Sequence, residues 1–586
     1  MFAVRWITVQ LTLLGFLTGI SKQAPLSDDK DSKIIMVSRR AGDAGDHFNM
    51  EAFGDTLRVD TRSTARAAPS RNKSVDVIDP NDVQIYAAKN NKITPENLPK
   101  TRTRLHKRHD AVYALTTETT PSGEFHTVDG WFTSKRGDVY RVEPVVEMAP
   151  LSGPGEGIRH TIRRQTAADL RSRDYDTALA AGITEEIQRK KDDTNNKSKR
   201  TGHHGNQEAI LELLLVIDNS IYRYYKEALA AGNEQRALMK VRLYYSLFIT
   251  MMNQRYENLQ KDGIFITIVP AGLIVSEDRE SARWAEQHMF RMPEDGKLAL
   301  DASVGLEGFK QWVKREIGQL PKFDHAMTVT RYALTRYGSV ATSGMAFVRT
   351  VCMTKHGYAT SIIEENGGFS GIGTATHELG HSLSAKHDGQ KKNVRCPMTD
   401  NYVMSPSNSM DSAVLKNFFQ FSECTKRAFK TFLESAQADC LYDTAPKTAH
   451  HNGGIPLPGQ VITVEKQCKD VLGEKSGFCR LDERFMDEMC SRLWCKDPKN
   501  PSSCVVMGQM TAALGATCGD KKWCINGECV HDEKAPHMRR CHFGEADTAY
   551  CKALIETDIE ACKSYDIRTK CCKSCPSKFG PSGRFG

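Results

Sequence analysis

The sequence predicts a multidomain protein in which an α/β domain is followed by small disulfide-rich modules. At 586 residues the chain is too long for one domain. From residue 208 onward, short apolar runs alternate with longer segments of helical periodicity, which is typical of a sheet covered by helices. All 18 cysteines follow residue 351, in groups of four, eight and six. Even groups indicate modules that each close their own disulfides in an oxidising compartment.

Residues 1–21 have the features of a secretory signal peptide. Arg5 is a short positive region, Trp6–Leu17 is an apolar core, and Gly19 and Ser21 are small residues at the expected cleavage point. The core is too short to cross a bilayer, and no later stretch of the sequence reaches the required apolar length. We therefore expect a secreted protein of the extracellular space or matrix, without a transmembrane segment.

Residues 22–200 are polar and contain no cysteine, and we interpret them as a propeptide. Strands are expected at Val83–Ala87 and Trp131–Val145, the second with a turn at residues 135–138. The segment ends in a basic cluster at Arg200, ahead of the Gly- and His-rich residues 201–205, which indicates a cleavage site for a proprotein convertase. Asn72 and Asn196 begin N-x-S sequons and are candidate glycosylation sites.

Residues 201–445 contain the alternating elements of the α/β domain. Buried strands are expected at Ile210–Asp218, Ile264–Val275, Ala326–Arg331 and Gly344–Val351. Helices are expected at Glu234–Leu259, Gly308–Ile317, from about Gly373 to Ser384, and at Glu423–Glu434.

The stretch Thr374–Asp388 reads TATHELGHSLSAKHD and has the spacing of a zinc site. His377 and His381 lie four residues apart and project from one face of a helix, and His387 follows six residues later. Three neutral nitrogens leave the fourth tetrahedral position of Zn²⁺ open for water, and Glu378 is placed to take its proton. The alternative is a solvated helix face with scattered histidines. The third histidine at a suitable offset argues against that alternative.

Met404 lies in the turn Asn401–Pro406, where it could form an apolar floor beneath the metal. With this turn, the histidine motif resembles the metzincin zinc endopeptidases, and Asp388 together with FSEC and DCLYD narrows the resemblance to the adamalysin (reprolysin) branch. The resemblance implies a mixed sheet with long helices. It also implies that His377, His381 and His387 bind zinc, that Glu378 is the general base and that Met404 is the Met-turn residue.

The same resemblance implies further structural features of residues 201–445. Two disulfides are implied, Cys352–Cys440 and Cys396–Cys424. A structural calcium site is also implied, formed by the side chains of Glu212, Asp301 and Asp443 and the carbonyl of Cys440.

The cysteine-rich region resembles accessory modules of the ADAMTS proteases. The eight cysteines of residues 446–535 are similar to a disintegrin-like module, and the six of residues 536–576, with SYDIRTKCCKSC, are similar to a PLAC module. Alternatives are a zinc ribbon for the middle group, which lacks the C-x-x-C pairs a ribbon needs, and a six-cysteine toxin-like fold for the last group. Residues 577–586 are expected to be a flexible tail.

Three departures from the resembled family bear on function. No thrombospondin repeat follows Cys529, and the propeptide has no cysteine that could hold the enzyme latent through zinc. Ser384 stands where the family has glycine, at the point where the helix breaks to deliver His387. A left-handed serine there would cost on the order of 1 kcal/mol.

We therefore expect a zinc metalloendopeptidase acting on extracellular proteins, including matrix components. Because its three histidines must be neutral, its activity should fall below about pH 6. The alternative function is a catalytically weak or inactive adaptor that binds matrix through its cysteine-rich modules. The net charge of +8 is spread too evenly along the chain for a phosphate-binding surface, so no nucleic-acid partner is expected.

Overall fold

The structure is a computed structural model, and the residues it describes cover most of the chain after residue 206. They are 32–37, 47–52, 55–60, 78–107, 111–120, 123–133, 139–144, 158–164 and 207–575, the last with gaps at 294–295, 337–341, 390–394, 407–408, 410, 444–455, 480–483, 501–502, 537–547, 565–566, 568–570 and 572–573. Arg200, Asn72, Asn196 and the turn expected at 135–138 lie outside the described residues.

The described part of the predicted propeptide is β-structure. Its strands are β1 (Ser32–Val37), β2 (His47–Ala52), β3 (Asp55–Asp60), β4 (Ile85–Lys89), β5 (Lys92–Pro95), β6 (Lys100–Lys107), β7 (Ala111–Thr120), β8 (Gly123–Thr133), β9 (Val139–Pro144) and β10 (Ile158–Arg164). An antiparallel sheet has the order β1-β10-β9-β8-β7-β6, and β2 pairs with β3. The remaining hairpin, β4 and β5, belongs to a different sheet.

The α/β domain alternates strands and helices as the sequence predicts. Its strands are β11 (Ala209–Ile217), β12 (Ile266–Ser276), β13 (Met289–Arg291), β14 (Leu298–Asp301), β15 (His325–Thr330), β16 (Ala333–Thr335), β17 (Gly344–Ala346) and β18 (Thr360–Glu364). Its helices are α1 (Asn219–Tyr224), α2 (Glu234–Glu257), α3 (Arg283–Glu286), α4 (Ala302–Glu316), α5 (Ile372–Ser382) and α6 (Glu423–Leu433).

The central sheet is mixed and has the order β17-β18-β15-β11-β12-β4-β5. Neighbours from β18 to β4 run parallel, and the two edge strands β17 and β5 are antiparallel to theirs. The two strands at one end of this order, β4 and β5, come from the predicted propeptide, so residues on both sides of the boundary expected at residue 200 contribute to one sheet. Sequence patterning could not reveal this, because the strand that pairs with β4 lies almost two hundred residues further along the chain.

Helices cover both faces of this sheet. Along β11, Leu213 and Leu215 join the apolar layer under α2 and α5, whereas Leu214 and Val216 join the layer under α4. Burial on both faces explains why the strand has a continuous apolar sequence instead of an alternating one. The sheet and α5 thus form one rigid support for the histidine motif.

Two elements differ in length from the sequence expectation. Helix α4 begins at Ala302, earlier than the expected Gly308, because the Asp301 carboxylate caps it by accepting from the backbone N–H groups of Ser303 and Val304 at 2.9 and 3.2 Å. Strand β17 ends at Ala346 and does not continue to Val351, because the backbone turns through a positive φ of 60° at Arg349.

The cysteine-rich region after residue 456 contains short elements held by disulfides. They are α7 (Pro458–Val461), α8 (Val464–Leu472), α9 (Arg484–Glu488), β19 (Cys495–Lys496), β20 (Cys504–Val505), β21 (Thr517–Gly519), β22 (Lys522–Ile525), β23 (Glu528–His531) and α10 (Thr548–Thr557). The pairs are Cys468–Cys495, Cys479–Cys504, Cys490–Cys524, Cys518–Cys529, Cys551–Cys571 and Cys562–Cys575. Each described pair lies within one of the sequence groups. Cys541 and Cys572 lie outside the described residues.

The first cysteine-rich module packs closely on the α/β domain. The fully buried side chain of Gln467 donates to the Gly368 carbonyl at 2.8 Å and to the Thr511 carbonyl at 3.0 Å, and accepts from the Ala513 N–H at 2.9 Å. A Cβ at Gly368 would lie 2.4 Å from the backbone carbonyl oxygen of Gln467, so only glycine allows the two segments to approach this closely. The module therefore supports the loop that leads into α5.

In the described part of the chain, no helix is both long enough and apolar enough to cross a membrane.

Candidate metal centre

The three histidines of the motif converge on one point. His377 and His381 lie on α5 and His387 follows it, and all three are buried. The His387 Nε2 atom lies 3.1 Å from Nε2 of His377 and 3.1 Å from Nε2 of His381. Three nitrogens bound to zinc at 2.0–2.1 Å in tetrahedral geometry lie about 3.4 Å apart, so this arrangement fits the ion closely.

Backbone carbonyls set the tautomers of two of these rings. His377 Nδ1 lies 2.6 Å from the Val403 carbonyl oxygen, and His381 Nδ1 lies 2.9 Å from that of Ala385. A carbonyl oxygen can only accept, so each Nδ1 carries the proton and each Nε2 of the neutral ring presents a lone pair. Burial also lowers the pKa of His377 to about 4 and that of His381 well below its usual value. Both rings are therefore held as neutral ligands.

A left-handed residue brings His387 to the other two histidines. Helix α5 ends at Ser382, and Ser384 has a φ of 89°, the conformation expected at this position. The Ser384 N–H donates to the His381 carbonyl at 2.8 Å and the Ala385 N–H donates to the Gly380 carbonyl at 3.0 Å. This pair of bonds is a Schellman motif, in which glycine is the usual left-handed residue. The left-handed backbone of Ser384 is thus strained, and it allows the chain to turn back toward the other histidines after α5.

Met404 is fully buried, and its sulfur packs against Gly380 of the histidine-bearing helix. A Cβ at Gly380 would lie 2.6 Å from the Met404 sulfur, so the glycine between the two helical histidines is what allows the sulfur to approach. The Asp388 N–H donates to the Met404 carbonyl at 3.0 Å, which joins the Met404 turn to the residue after His387.

Glu378 is the acidic group at this centre. Its side chain is fully buried, and in the described part of the chain neither carboxylate oxygen has a hydrogen-bond partner. Burial raises its pKa well above the usual value. A buried carboxylate without a partner is costly unless a ligand or a water molecule completes it. Glu378 directly follows His377 on α5 and precedes His381 by three residues, a placement that suits a group exchanging protons with a water molecule at the histidine centre.

Glu365, which the sequence analysis did not single out, positions the start of α5. Its carboxylate accepts from the backbone N–H groups of Gly367 and Gly371, both at 2.6 Å, and from the Tyr244 hydroxyl at 2.9 Å. Helix α5 has no side-chain cap of its own at Gly371, so Glu365 supplies the acceptor. The acidic pair of Glu364 and Glu365 ahead of the glycine-rich stretch 367–371 was the available signal.

The structure pairs the cysteines of this domain as Cys352–Cys440 and Cys396–Cys424. The second pair ties the segment after His387 to α6, on which Cys424 lies. Both pairs stabilise loops around the histidine centre.

The residues expected to bind calcium are arranged differently. Asp301 caps α4, as described above. The Lys322 ammonium lies between the other two carboxylates, 3.0 Å from Glu212 Oε2 and 2.7 Å from Asp443 Oδ1. Among the described residues, no group of carboxylates, histidines and cysteines close enough to share one ion includes Glu212, Asp301 or Asp443. The calcium site therefore stays a prediction from the resemblance, and in this structure a lysine ammonium supplies the positive charge between two of its expected ligands.

Two parts of the chain match families of known proteins. Residues 284–445 match the reprolysin (M12B) family of zinc metalloproteases, and residues 458–530 match the ADAMTS cysteine-rich domain 2. Residues 284–445 are a reprolysin domain. The second match lies inside the region 446–535 expected to be disintegrin-like.

Animal proteins align with more than half of the chain. The chain is 28% identical over 400 residues to a Bombyx mori protein described as "A disintegrin and metalloproteinase with thrombospondin motifs like", covering 64% of this chain and 52% of the relative. It is 28% identical over 349 residues to "A disintegrin and metalloproteinase with thrombospondin motifs 16" of Mus musculus, covering 58% and 25%. The chain thus spans about half the length of the insect relative and a quarter of the mouse relative. The residues that match the reprolysin family include His377, His381 and His387.

Proposed function

We propose that this chain is a secreted zinc metalloendopeptidase that hydrolyses peptide bonds of extracellular proteins. One observation carries the proposal: the Nε2 atoms of His377 and His381 each lie 3.1 Å from that of His387, and the buried, unpartnered carboxylate of Glu378 belongs to the same helix. The match of residues 284–445 to the reprolysin family supports it. His377, His381 and His387 would hold the ion, and Met404 would lie beneath it.

The chemistry divides between the ion and Glu378. Zinc, when bound, polarises the scissile carbonyl and lowers the pKa of its water toward about 7. Glu378 would take a proton from a water molecule held at this centre and would give it to the leaving amine as the peptide bond breaks. Burial raises the pKa of Glu378, which favours holding the proton between these two events. Val403 and Ala385 keep the imidazole rings oriented throughout, because their carbonyls accept from the Nδ1 atoms.

The edge strand β17 is the proposed binding site for the substrate backbone. It pairs with β18, and its other side has no strand partner among the described residues. An extended peptide can add to such an edge through main-chain hydrogen bonds. Gly344 at the start of β17 lies against Thr374 and Glu378 of α5, so a peptide on this edge would have its scissile bond near the base.

Maturation is proposed to require cleavage after Arg200 by a proprotein convertase. The segment 22–200 has no cysteine, so latency depends on another ligand or on occlusion of the cleft. Asn72 and Asn196 are proposed glycosylation sites, and a glycan at Asn196 would lie near the cut. Residues 536–576 are proposed to be a PLAC-like module that contacts matrix components, and residues 577–586 a flexible tail.

Proteolysis of a broad protein mixture by the purified mature form tests this function. Cleavage should occur with wild type and should be lost with a chelator, with Glu378→Ala and with His387→Ala. Elemental analysis separates the two variants, because Glu378→Ala should retain zinc and His387→Ala should lose it. Equal cleavage by wild type and Glu378→Ala would overturn the mechanism. It would favour the alternative of a matrix-binding adaptor, whose support is the strained Ser384 alone.

A further inference from the structure

The hairpin β4–β5, although it precedes the proposed cleavage site, is part of the catalytic sheet. Strand β4 pairs in parallel with β12, in a register that runs from Ile85 opposite Leu273 to Ala88 opposite Ser276. The Leu273 N–H donates to the Gln84 carbonyl at 2.9 Å, and the Glu277 N–H donates to the Ala88 carbonyl at 2.9 Å. Strand β5 then pairs with the outer side of β4.

The hairpin contributes to the apolar layers on both faces of the sheet. Val83 and Ile85, 2% and 0% exposed, belong to the layer under α2 and α5. Ala88, 1% exposed, belongs to the layer under α4, and Ile93 packs against it. Removing the hairpin would expose core side chains on both faces at once, and such exposure is unfavourable in water.

Polar contacts fix the hairpin at its two ends and at its turn. The Ile78 N–H donates to the Thr250 hydroxyl at 3.1 Å, and Arg242 Nη2 donates to the Pro99 carbonyl at 2.8 Å. Both Thr250 and Arg242 lie on α2 and are buried. At the turn, the Asn90 N–H donates to the Asp278 carboxylate at 2.7 Å. Strand pairing along β4 and polar contacts at the two ends and at the turn therefore bind residues 78–99 to the α/β domain.

The position of the hairpin leaves the proposed substrate edge open. In the sheet order, β4 and β5 extend one edge, whereas β17 lies at the other. The hairpin continues directly into β6, which belongs to the antiparallel sheet of the prosegment. An attachment at residues 78–101 would thus retain the prosegment without occupying the substrate edge.

We propose that residues 78–101 stay bound to the α/β domain after the chain is cut between residues 200 and 207, as a non-covalent part of its sheet. The mature form is then a two-chain complex in which the hairpin retains the prosegment. The occurrence of this state in the cell depends on the cleavage under the proposed function. The binding itself depends only on the contacts described above.

The test uses the full chain with residues 201–205 replaced by the recognition sequence of a highly specific protease. The variant Glu378→Ala is used throughout, so that the result does not depend on activity or on natural cleavage at Arg200. After complete cutting, both fragments should elute together in size-exclusion chromatography at low and at high salt. The amides of Leu273 and Glu277 should stay as protected from hydrogen exchange as in the uncut chain. Separation of the fragments, or loss of this protection, would overturn the proposal.

A matched pair of hairpin variants locates the contact. Ile85→Asp places a charge in the buried layer and should release the prosegment fragment after cutting, whereas Lys92→Asp changes an exposed residue of the same hairpin and should not. Retention of the fragment by Ile85→Asp would place the binding elsewhere in the prosegment and contradict the proposal. If the uncut Ile85→Asp chain fails to fold, the proposal is decided by the cut chain with the unaltered hairpin. In that chain the two measurements are co-elution of the fragments and protection of the Leu273 and Glu277 amides.

Discussion

Gly344 on the edge strand lies directly against Glu378 on the histidine-bearing helix. A Cβ at position 344 would come within 2.8 Å of the Glu378 Cγ and 2.9 Å of its Oε1. Separations this short are avoided by real side chains, so the glycine sets where the carboxylate can lie. The position of the Glu378 carboxylate therefore depends on the absence of a side chain at Gly344 on the proposed substrate edge.

Replacing Gly344 with alanine should displace the Glu378 carboxylate while leaving the histidines in place. We expect kcat to fall by about tenfold to a hundredfold, because general acid–base catalysis contributes on the order of 10²–10⁴ and depends on position. Zinc content should not change. Gly318→Ala is the matched control, since a Cβ there has open space. Similar losses of kcat in both variants would contradict the positioning role of Gly344.

Replacing Ser384 with glycine should stabilise the protein. The left-handed backbone at φ 89° strains serine but not glycine, and relief of that strain is worth on the order of 1 kcal/mol in the free energy of unfolding. Activity should change by about tenfold or less, because His387 is already delivered to the other two histidines. Urea unfolding and peptide hydrolysis measure the two effects. Recovery from complete inactivity would instead favour the adaptor function.

Lys322 should make this domain insensitive to calcium. The melting temperature of the wild type should be the same with calcium and with a calcium chelator, because the ammonium already lies between Glu212 and Asp443. Lys322→Met should lower the free energy of unfolding by about 1 kcal/mol, since it leaves the two carboxylates facing each other. Lys416→Met, which removes an exposed ion pair with Glu528, should have a smaller effect. A calcium-dependent melting temperature in the wild type would contradict the interpretation that Lys322 takes the place of the ion.

The stability of the metal-free protein should decline in acid because of its buried histidines. Burial lowers the folded-state pKa of His377 to about 4, below the unfolded value of 6.5. The buried, neutral His377 ring therefore contributes fully to the free energy of unfolding above pH 6.5. That contribution is lost as the pH falls from 6.5 toward 4. The integrated effect is about 3 kcal/mol.

Comparison of wild type with His377→Asn by urea unfolding isolates that contribution. The difference between them should shrink from pH 7 to pH 4, and a constant difference would contradict the assignment. An ordinary histidine pKa indicates that zinc is lost below about pH 6. Because burial lowers the pKa of His377, we expect zinc to be lost only at a lower pH. Zinc content after dialysis at each pH measures this second effect.

Gln467 should be required for the contact between the cysteine-rich module and the reprolysin domain. Its replacement by alanine leaves the buried polar groups of Gly368, Thr511 and Ala513 without this partner, which should cost about 3 kcal/mol in the free energy of unfolding. Gln311→Ala removes an exposed glutamine on α4 and should cost well under 1 kcal/mol. Equal effects of the two substitutions would show that the buried amide is not a stabilising contact.

The parts of the site that lie close together in sequence were predictable. His377, Glu378 and His381 occupy one helical face, and their spacing alone indicates the metal chemistry. The left-handed Ser384 was also predictable, because a helix must break there for His387 to return. Strand β11 and helix α2 followed from apolar patterning, which reports burial directly.

The remaining parts depend on contacts that sequence spacing does not encode. Gly344 meets Glu378 across the interior, and Lys322 meets Glu212 from a different loop. Glu365 acts through the backbone amides of Gly367 and Gly371, and the acidic residues ahead of this stretch do not by themselves indicate which amides they bind. The hairpin β4–β5 was assigned to the propeptide by its sequence alone. Nothing in a local sequence distinguishes a strand that pairs with its neighbour from one that pairs with a distant sheet.

The hairpin also bears on how the enzyme is produced for study. A recombinant chain that began at residue 207 would leave β12 as an exposed edge strand of eleven residues, Ile266–Ser276, with unpaired amides such as those of Leu273 and Glu277. Open edges of this kind pair with copies of themselves and lead to aggregation. Co-expression of residues 78–101, or retention of the complete prosegment, supplies the missing strand and should keep the catalytic domain soluble.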